Sequence, residues 1–419
     1  MSALESTLKK AKESTLNLPQ INLETRVRVL NKLKDVISQS VDEIIDHNKK
    51  DLELGQEKNL SSALIDRLLL DPKRIQSMIN MIDEIANANE VVGLLTPTLT
   101  RENGLEIFEE TIPLGLIGMI FESRPNVMID LASLCLKTCN GFVAKGGKEA
   151  GQSNKILYDI FIKSCQDELN TDAFVMLDST DRSLVTELLK FHQYVDLIIP
   201  RGGESLVSYV RENSTIPVIA HEKGLCHLYF DQKLDEKIAL DVLLNGKVSR
   251  PGVCNAIETL VLHQSHLETA FLQKILKLLS EHKVEVFTEK IIYDKFCSDY
   301  SNLKLAQTEQ WDQEYLDLKL SLKIVPDVNQ AIQFIQKHSS RHTEVIISED
   351  KSHQEIFRKS LDSSCIAINT SSRFNDGGEL GLGSELGIST SKLHAYGPMG
   401  LKHLVTRRFF LMGRGQVRI

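Results

Sequence analysis

Residues 115–150 read GLIGMIFESRPNVMIDLASLCLKTCNGFVAKGGKEA, and this stretch decides the fold. It opens on a short apolar run, GLIGMIF (115–121), and returns to another, GFVAK (141–145), after a helix-length segment that begins near Asn126. Neither run alternates apolar with polar residues. Such runs are expected of strands buried on both faces, and these belong to parallel sheets covered by helices.

Downstream the rhythm repeats. AFVML (173–177), VDLII (195–199) and IPVIA (216–220) read as further buried strands, with helical stretches beginning near Glu149, Asp181 and Glu204. Strands alternating with helices predict an open α/β fold, whose ligands bind at the carboxyl ends of the strands. A second series follows: AIETLVL (256–262), KVEVF (283–287), LKIV (322–325), EVIIS (344–348) and CIAIN (365–369), with helices around 266–280 and 328–338. It predicts a second α/β domain from about residue 230. Upstream, the first ninety residues are helical in period. Leu23, Val27, Leu30, Leu33, Ile37, Val41, Ile44 and Ile45 recur every three or four positions, and Met78, Met81, Ile82 and Ile85 continue the spacing. Between these helices and the first strand, TPTLTRENGLEIFEETIPLG (96–115) places β-favouring residues on either side of Asn103-Gly104, a hairpin signal. The end of the chain, VTRRFFLMGRGQVRI, reads as an extended arm.

Length and composition bound the function. A chain of 419 residues exceeds one core and predicts two or three domains. A net charge of -8 gives no basic footprint, which argues against a nucleic-acid partner, and Lys402, Arg407, Arg408, Arg414 and Arg418 read as a solvated or interface edge. No apolar run reaches the roughly 18 residues of a membrane span. The first residues lack the apolar core of a signal peptide, so a cytoplasmic location is expected. Seven scattered cysteines in a reducing compartment predict no disulfide framework. Cys135 and Cys139, one helical turn apart, lack a second ligand pair, so no metal site is expected.

Two strand ends are suited to phosphate. Lys145-Gly146-Gly147-Lys148 closes GFVAK, and Pro200-Arg201-Gly202-Gly203 closes VDLII; each precedes a helix. Glycine lets a ligand approach the backbone, and a helix N-terminus favours an anion. Gly381-Leu382-Gly383-Ser384-Glu385-Leu386-Gly387 imitates a dinucleotide fingerprint, but its spacing is one residue too long and no strand leads into it. It reads as a loop near the site. Cys254 follows the Pro251-Gly252 turn and precedes a strand. It is either a buried structural cysteine or an accessible nucleophile whose thiolate Lys247 and Arg250 would favour. His221, His227 and His263 carry no spacing that marks a base.

As a set, these residues are recognisable. FESRPNVMIDLASLCLKTCNGFVAKGGKEA (121–150), VDLIIPRGGESLV (195–207), RPGVCNAIETLVLH (250–263) and SSRFNDGGELGLGSELGISTSKLHAYGPMG (371–400) resemble the gamma-glutamyl phosphate reductases, a branch of the aldehyde dehydrogenase superfamily, over nearly the whole chain. The resemblance implies an aldehyde-dehydrogenase-like fold of two doubly wound α/β domains plus a hairpin-and-arm oligomerisation element. It implies an NADPH-binding domain at 1–95 and 113–229, a catalytic domain at 230–370, a flap at 96–112 and 395–419, and a substrate or linker loop at 371–394. Cys254 matches the nucleophile and Asn126 the amide that steadies the oxyanion. Lys145, Gly146, Gly147, Pro200, Arg201, Gly202 and Gly203 match the cofactor loops, and Glu314 matches the glutamate that holds the nicotinamide ribose. Arg124, Arg250, Asn369 and Arg373 are candidates for the substrate's carboxylate and phosphate.

One departure narrows the reaction. Hydrolytic aldehyde dehydrogenases place a glutamate base before the second domain; here the position falls on or near Ala220, with Glu222 displaced. The implied reaction is NADPH-dependent reduction of L-glutamyl 5-phosphate to L-glutamate 5-semialdehyde through a Cys254 thioester, on the route to proline. A homo-oligomer is expected, with glutamate 5-kinase a separate protein that is linked in function. An acyl-CoA-reducing dehydrogenase and a non-catalytic scaffold are the alternatives. The RFNDGG segment (373–378) disfavours the first, and intact Cys254 and Asn126 disfavour the second.

Overall fold

The computed structural model describes residues 2–220 and 223–418, without the side chains of Ser62 and Ala63. The chain forms two compact units, one of Met1–Ala220, Gly381–Ile388 and Pro398–Ile419, the other of His221–Leu380 and Ser389–Gly397.

The first unit begins with helices α1 (Ala3–Thr15), α2 (Leu23–Gln39), α3 (Val41–Glu57), α4 (Ser62–Leu68) and α5 (Pro72–Asn87). Their starts are written in the sequence. Ser2, Asn22 and Asp71 each accept a backbone N–H of the first turn, and Pro72 opens α5. The apolar stripe expected as one face from Leu23 to Ile45 is divided at Ser40, where α2 ends and α3 starts. Leu30, Leu33, Ile37 and Ile44 are nonetheless fully buried.

Strands β1 (Leu95–Thr100) and β2 (Glu106–Pro113) form the expected hairpin, and β2 pairs antiparallel with the terminal strand Val405–Met412. At its turn Gly104 takes a φ of 81°, and Asn103 instead accepts the Leu105 N–H through Oδ1. The arm pairs only from residue 405; the residues expected as flap from 395 are shared between the two units first.

Next come β3 (Leu116–Phe121), α6 (Asn126–Lys137), β4 (Gly141–Gly146), α7 (Gly151–Cys165), β5 (Phe174–Met176), α8 (Ser183–Leu188), β6 (Leu197–Arg201) and α9 (Glu204–Asn213). The sheet order is β5-β4-β3-β6, all parallel. From β3 the chain moves outward through β4 to β5, then returns to the free side of β3 for β6. That reversal opens a crevice at the carboxyl ends of β3 and β6, where such sheets bind ligands. Phe121 is in register with both Gly146 and Arg201, so the three strand ends finish level. IPVIA is not a full strand. Pro217 has no N–H to donate, and only Val218 makes a bridge, to Ile198.

The second unit holds β7 (Cys226–Phe230), α10 (Glu236–Val248), β8 (Ile257–His263), α11 (Ala270–Glu281), β9 (Glu285–Thr288), α12 (Lys290–Phe296), β10 (Leu303–Leu305), β11 (Lys319–Val325), α13 (Val328–His338), β12 (Thr343–Ile347), α14 (Lys351–Ser360) and β13 (Cys365–Ile368). Its sheet runs β10-β9-β11-β8-β7-β12-β13, again all parallel. Since β7 lies between β8 and β12, the boundary falls after Ala220, ahead of the expected 229/230. The expected 371–394 linker is also divided, with Gly381–Ile388 joining the first unit.

Candidate functional site

In the first unit the expected residues gather at the carboxyl ends of β3, β4 and β6. Asn126 is the first residue of α6, so the short ESRP connection leaves its side chain at the sheet's edge. That connection is pinned from two sides. Glu149 Oε1 accepts the Ser123 N–H at 2.8 Å and the Ser123 hydroxyl at 2.9 Å, holding Ser123 at a φ of 45°. Glu122 Oε2 accepts the Gly203 N–H at 3.0 Å, at the start of α9. A Cβ on Gly202 would lie 2.3 Å from Glu122 Oε2, so a side chain there would displace the Glu122 carboxylate. Lys145, buried, donates to the Ser179 carbonyl at 2.9 Å and to its neighbour Gly146 at 3.3 Å. Burial holds its ammonium below the ordinary range, while Asp178, Glu149 and Asp181 pull the other way.

Asp130 is a member of this cluster that the sequence reading missed. Asn126 Nδ2 donates to Asp130 Oδ2 at 2.9 Å. Burial pushes the Asp130 carboxyl up to about 7; Arg201, the Asn126 hydrogen bond and Arg124 oppose the rise, and Glu385 adds to it. Residues four apart on a helix share a face, so the 126/130 spacing held the signal. Arg201 also reaches the Gly381–Ile388 segment, its Nη1 3.4 Å from the Leu386 carbonyl. The GLGSELG loop thus lies beside Arg201 and Asp130 and forms no strand-to-helix turn of its own.

In the second unit, Cys254 sits half-buried at the amino end of β8, in a turn closed by the Ala256 N–H donating to the Val253 carbonyl at 3.0 Å. No described residue accepts from the Cys254 N–H. The Cys226 thiol donates to the Cys254 carbonyl at 3.2 Å. Gly224 lies so close that a Cβ there would be 2.2 Å from that carbonyl oxygen, and the Gly224 N–H donates to Glu314 Oε1 at 2.9 Å. Glu314 is therefore joined to the Cys254 turn through one glycine. Opposite, the Ser372 hydroxyl donates to the Asn255 carbonyl at 2.6 Å and Asn255 Nδ2 to the Asn375 carbonyl at 3.1 Å. These bonds bring Arg373 to the turn. Burial first, and the Arg250 guanidinium second, hold Arg373 below its ordinary range, with Asp376 and Cys254 acting against them. Arg250, Arg373 and Cys254 thus converge.

Two expectations are corrected. Asn369 follows β13, at the opposite end of the sheet from Cys254. It takes a φ of 53° and clamps Ser348, accepting its N–H at 2.9 Å and donating to its carbonyl at 3.0 Å. Its amide is spent on backbone, so it is no ligand beside Cys254. Lys247 does not turn towards Cys254 either. It is buried and donates to buried Glu258 at 2.8 Å. His227 pairs with Glu344 at 2.9 Å and His263 meets Ser265 at 2.7 Å, while His221 and Glu222 lie outside the described residues. Among the described residues no cluster of histidine, cysteine, aspartate or glutamate is placed to hold a metal ion.

Residues 2–290 match the aldehyde dehydrogenase family. The chain is 42% identical over 410 residues, 98% of its own length and 97% of the relative's, to a gamma-glutamyl phosphate reductase of Leptospira interrogans serogroup Icterohaemorrhagiae serovar Lai. It is 41% identical to one of Caldanaerobacter subterraneus subsp. tengcongensis, covering 99% of both chains. The crystal structure of gamma-glutamyl phosphate reductase from Thermotoga maritima superposes with a TM-score of 0.95 at 36% identity, covering 100% of each chain.

Proposed function

The chain belongs to the aldehyde dehydrogenase family, in its gamma-glutamyl phosphate reductase branch, and from that premise we propose that Cys254 carries the glutamyl group as a thioester during NADPH-dependent reduction. It is an oxidoreductase that reduces glutamyl phosphate, a small-molecule substrate, in proline biosynthesis. The observation that carries the thioester reading is the setting of Cys254: a half-buried thiol at the turn to which Arg373 is brought, with its own N–H engaged by no described residue.

The Cys254 thiolate attacks the acyl carbon of L-glutamyl 5-phosphate. The carbon–oxygen bond to phosphate breaks, and phosphate leaves with the electron pair. Arg250 and Arg373 attract the substrate's anionic groups. The Cys254 N–H and the Asn126 amide are the oxyanion donors of this reading; one such donor commonly contributes about 3–4 kcal/mol to the barrier. When the thiohemiacetal collapses, Cys254 leaves as thiolate and L-glutamate 5-semialdehyde is released. The position of the hydrolytic base falls on or near Ala220, with Glu222 displaced, which suits a thioester kept for reduction.

The family uses a nicotinamide dinucleotide, which supplies a hydride when bound. The residues at the carboxyl ends of β4 and β6 fit its phosphates. Buried Arg201 Nε has no hydrogen-bond partner among the described residues, and the Gly202-Gly203 backbone leads into the N-terminus of α9. Lys145, Gly146, Gly147, Pro200, Arg201, Gly202, Gly203 and Glu314 would hold it. Choice of NADPH over NADH rests on the resemblance to the branch.

In the reverse direction, glutamate semialdehyde and phosphate should reduce NADP⁺. Cys254→Ser is expected to lower that rate by about a thousandfold or more while leaving the unfolding temperature near that of the parent. Retention of about a tenth of the parent rate would refute the role of Cys254.

A further inference from the structure

Asp130 has no part in the reaction as drawn, yet it is built into the Asn126 site. It stands one turn along α6 and accepts from Asn126 Nδ2 at 2.9 Å. Three other segments turn charged groups towards it: Arg201 at the end of β6, Arg124 before α6, and Glu385 from Gly381–Ile388. A carboxylate has only acceptor oxygens. An asparagine facing one must turn its NH₂ edge inward, because the flipped amide would set oxygen against oxygen. With one Nδ2 hydrogen held, the second points in a fixed direction.

We propose that Asp130 is a positioning residue, whose carboxylate fixes the Asn126 amide so that its second Nδ2 hydrogen is presented to the oxyanion. The inference rests on the reading of Asn126 as an oxyanion donor. It has a consequence in pH. A protonated Asp130 is itself a donor and satisfies Asn126 Oδ1 as readily as Nδ2, so the amide loses its single orientation. The two guanidiniums favour the carboxylate; burial and Glu385 favour the proton and set the balance at about 7. The ordered amide is therefore present above that pH and lost below it.

The test compares Asp130→Asn, Asp130→Ala, Asn126→Ala and the double alanine variant of the full chain, assayed with glutamate semialdehyde, phosphate and NADP⁺. Asp130→Asn keeps size and an acceptor but adds a donor and cannot titrate. Its kcat should fall about tenfold, its KM for NADP⁺ should stay within about twofold, and the acid limb of kcat near pH 7 should vanish. Asp130→Ala should cost nothing further once Asn126 is alanine. A native kcat with the acid limb intact in Asp130→Asn overturns the positioning role, as do additive losses in the double variant. If Asp130→Ala does not fold, Asp130→Asn decides alone. A native kcat in Asn126→Ala would instead refute the donor reading of Asn126 and the inference with it.

Discussion

At the scale of the residue, Lys247 shows what linear proximity to a nucleophile conceals. It lies seven positions before Cys254 and invites a role in stabilising the thiolate, but its ammonium is buried and bonded to Glu258. Burial pushes the Glu258 carboxyl up to about 7 and Lys247 opposes the rise; the same burial holds the Lys247 ammonium below its ordinary range. Because folded Glu258 holds its proton more tightly than the unfolded chain, this group's contribution to stability falls as pH rises from 4.5 towards about 7. Lys247→Met removes the compensating charge. It should destabilise the fold by about 3–5 kcal/mol above pH 7 and by distinctly less near pH 5, where Glu258 is protonated. Denaturant unfolding at the two pH values checks this, and an equal loss at both would contradict it. Asp130 belongs to the same scale: the 126/130 spacing is legible in the sequence, but nothing local says that the carboxylate is buried beside the amide.

At the scale of the element, apolar runs located several sheet strands buried along their whole length, β3, β4 and β8 among them. Errors came where pairing partners are distant. CHLYF was not read as a strand because His227 interrupts it; in the fold that histidine is buried and paired with Glu344 on the neighbouring β12. The three-residue β10 is too short to show a period. IPVIA has a strand's composition but carries Pro217. The glycine strand ends were legible because a chain that turns from strand to helix needs them, while Asn369 was misplaced because its local sequence does not say at which end of the sheet it stands. That end is fixed by the parallel pairing of β12 with β13.

At the scale of the whole molecule, the three-stranded sheet of β1, β2 and the terminal strand leaves an apolar surface uncovered. On one face, Leu99, Phe409 and Leu411 are 51%, 66% and 55% exposed. Contiguous apolar surface of this kind, on a sheet with open edges, favours pairing with another copy. We propose that a neighbouring subunit covers it, as the hairpin and arm led us to expect. Replacing Phe409 and Leu411 together by glutamate should reduce the assembly's mass in light scattering, with the ion pairs of Arg407 to Glu109 and Arg408 to Glu110 still holding the strand. An unchanged mass would remove this surface from the interface.

The central claim is that Cys254 holds an acyl group for reduction and does not pass it to water. Rapid mixing of the enzyme with glutamate semialdehyde and NADP⁺, without phosphate, tests it most directly. The account predicts a stoichiometric burst of NADPH that then stops, a glutamyl adduct on Cys254 by mass spectrometry, and resumed turnover when phosphate is added. Steady NADPH formation without phosphate, or a burst with no adduct on Cys254, would contradict it.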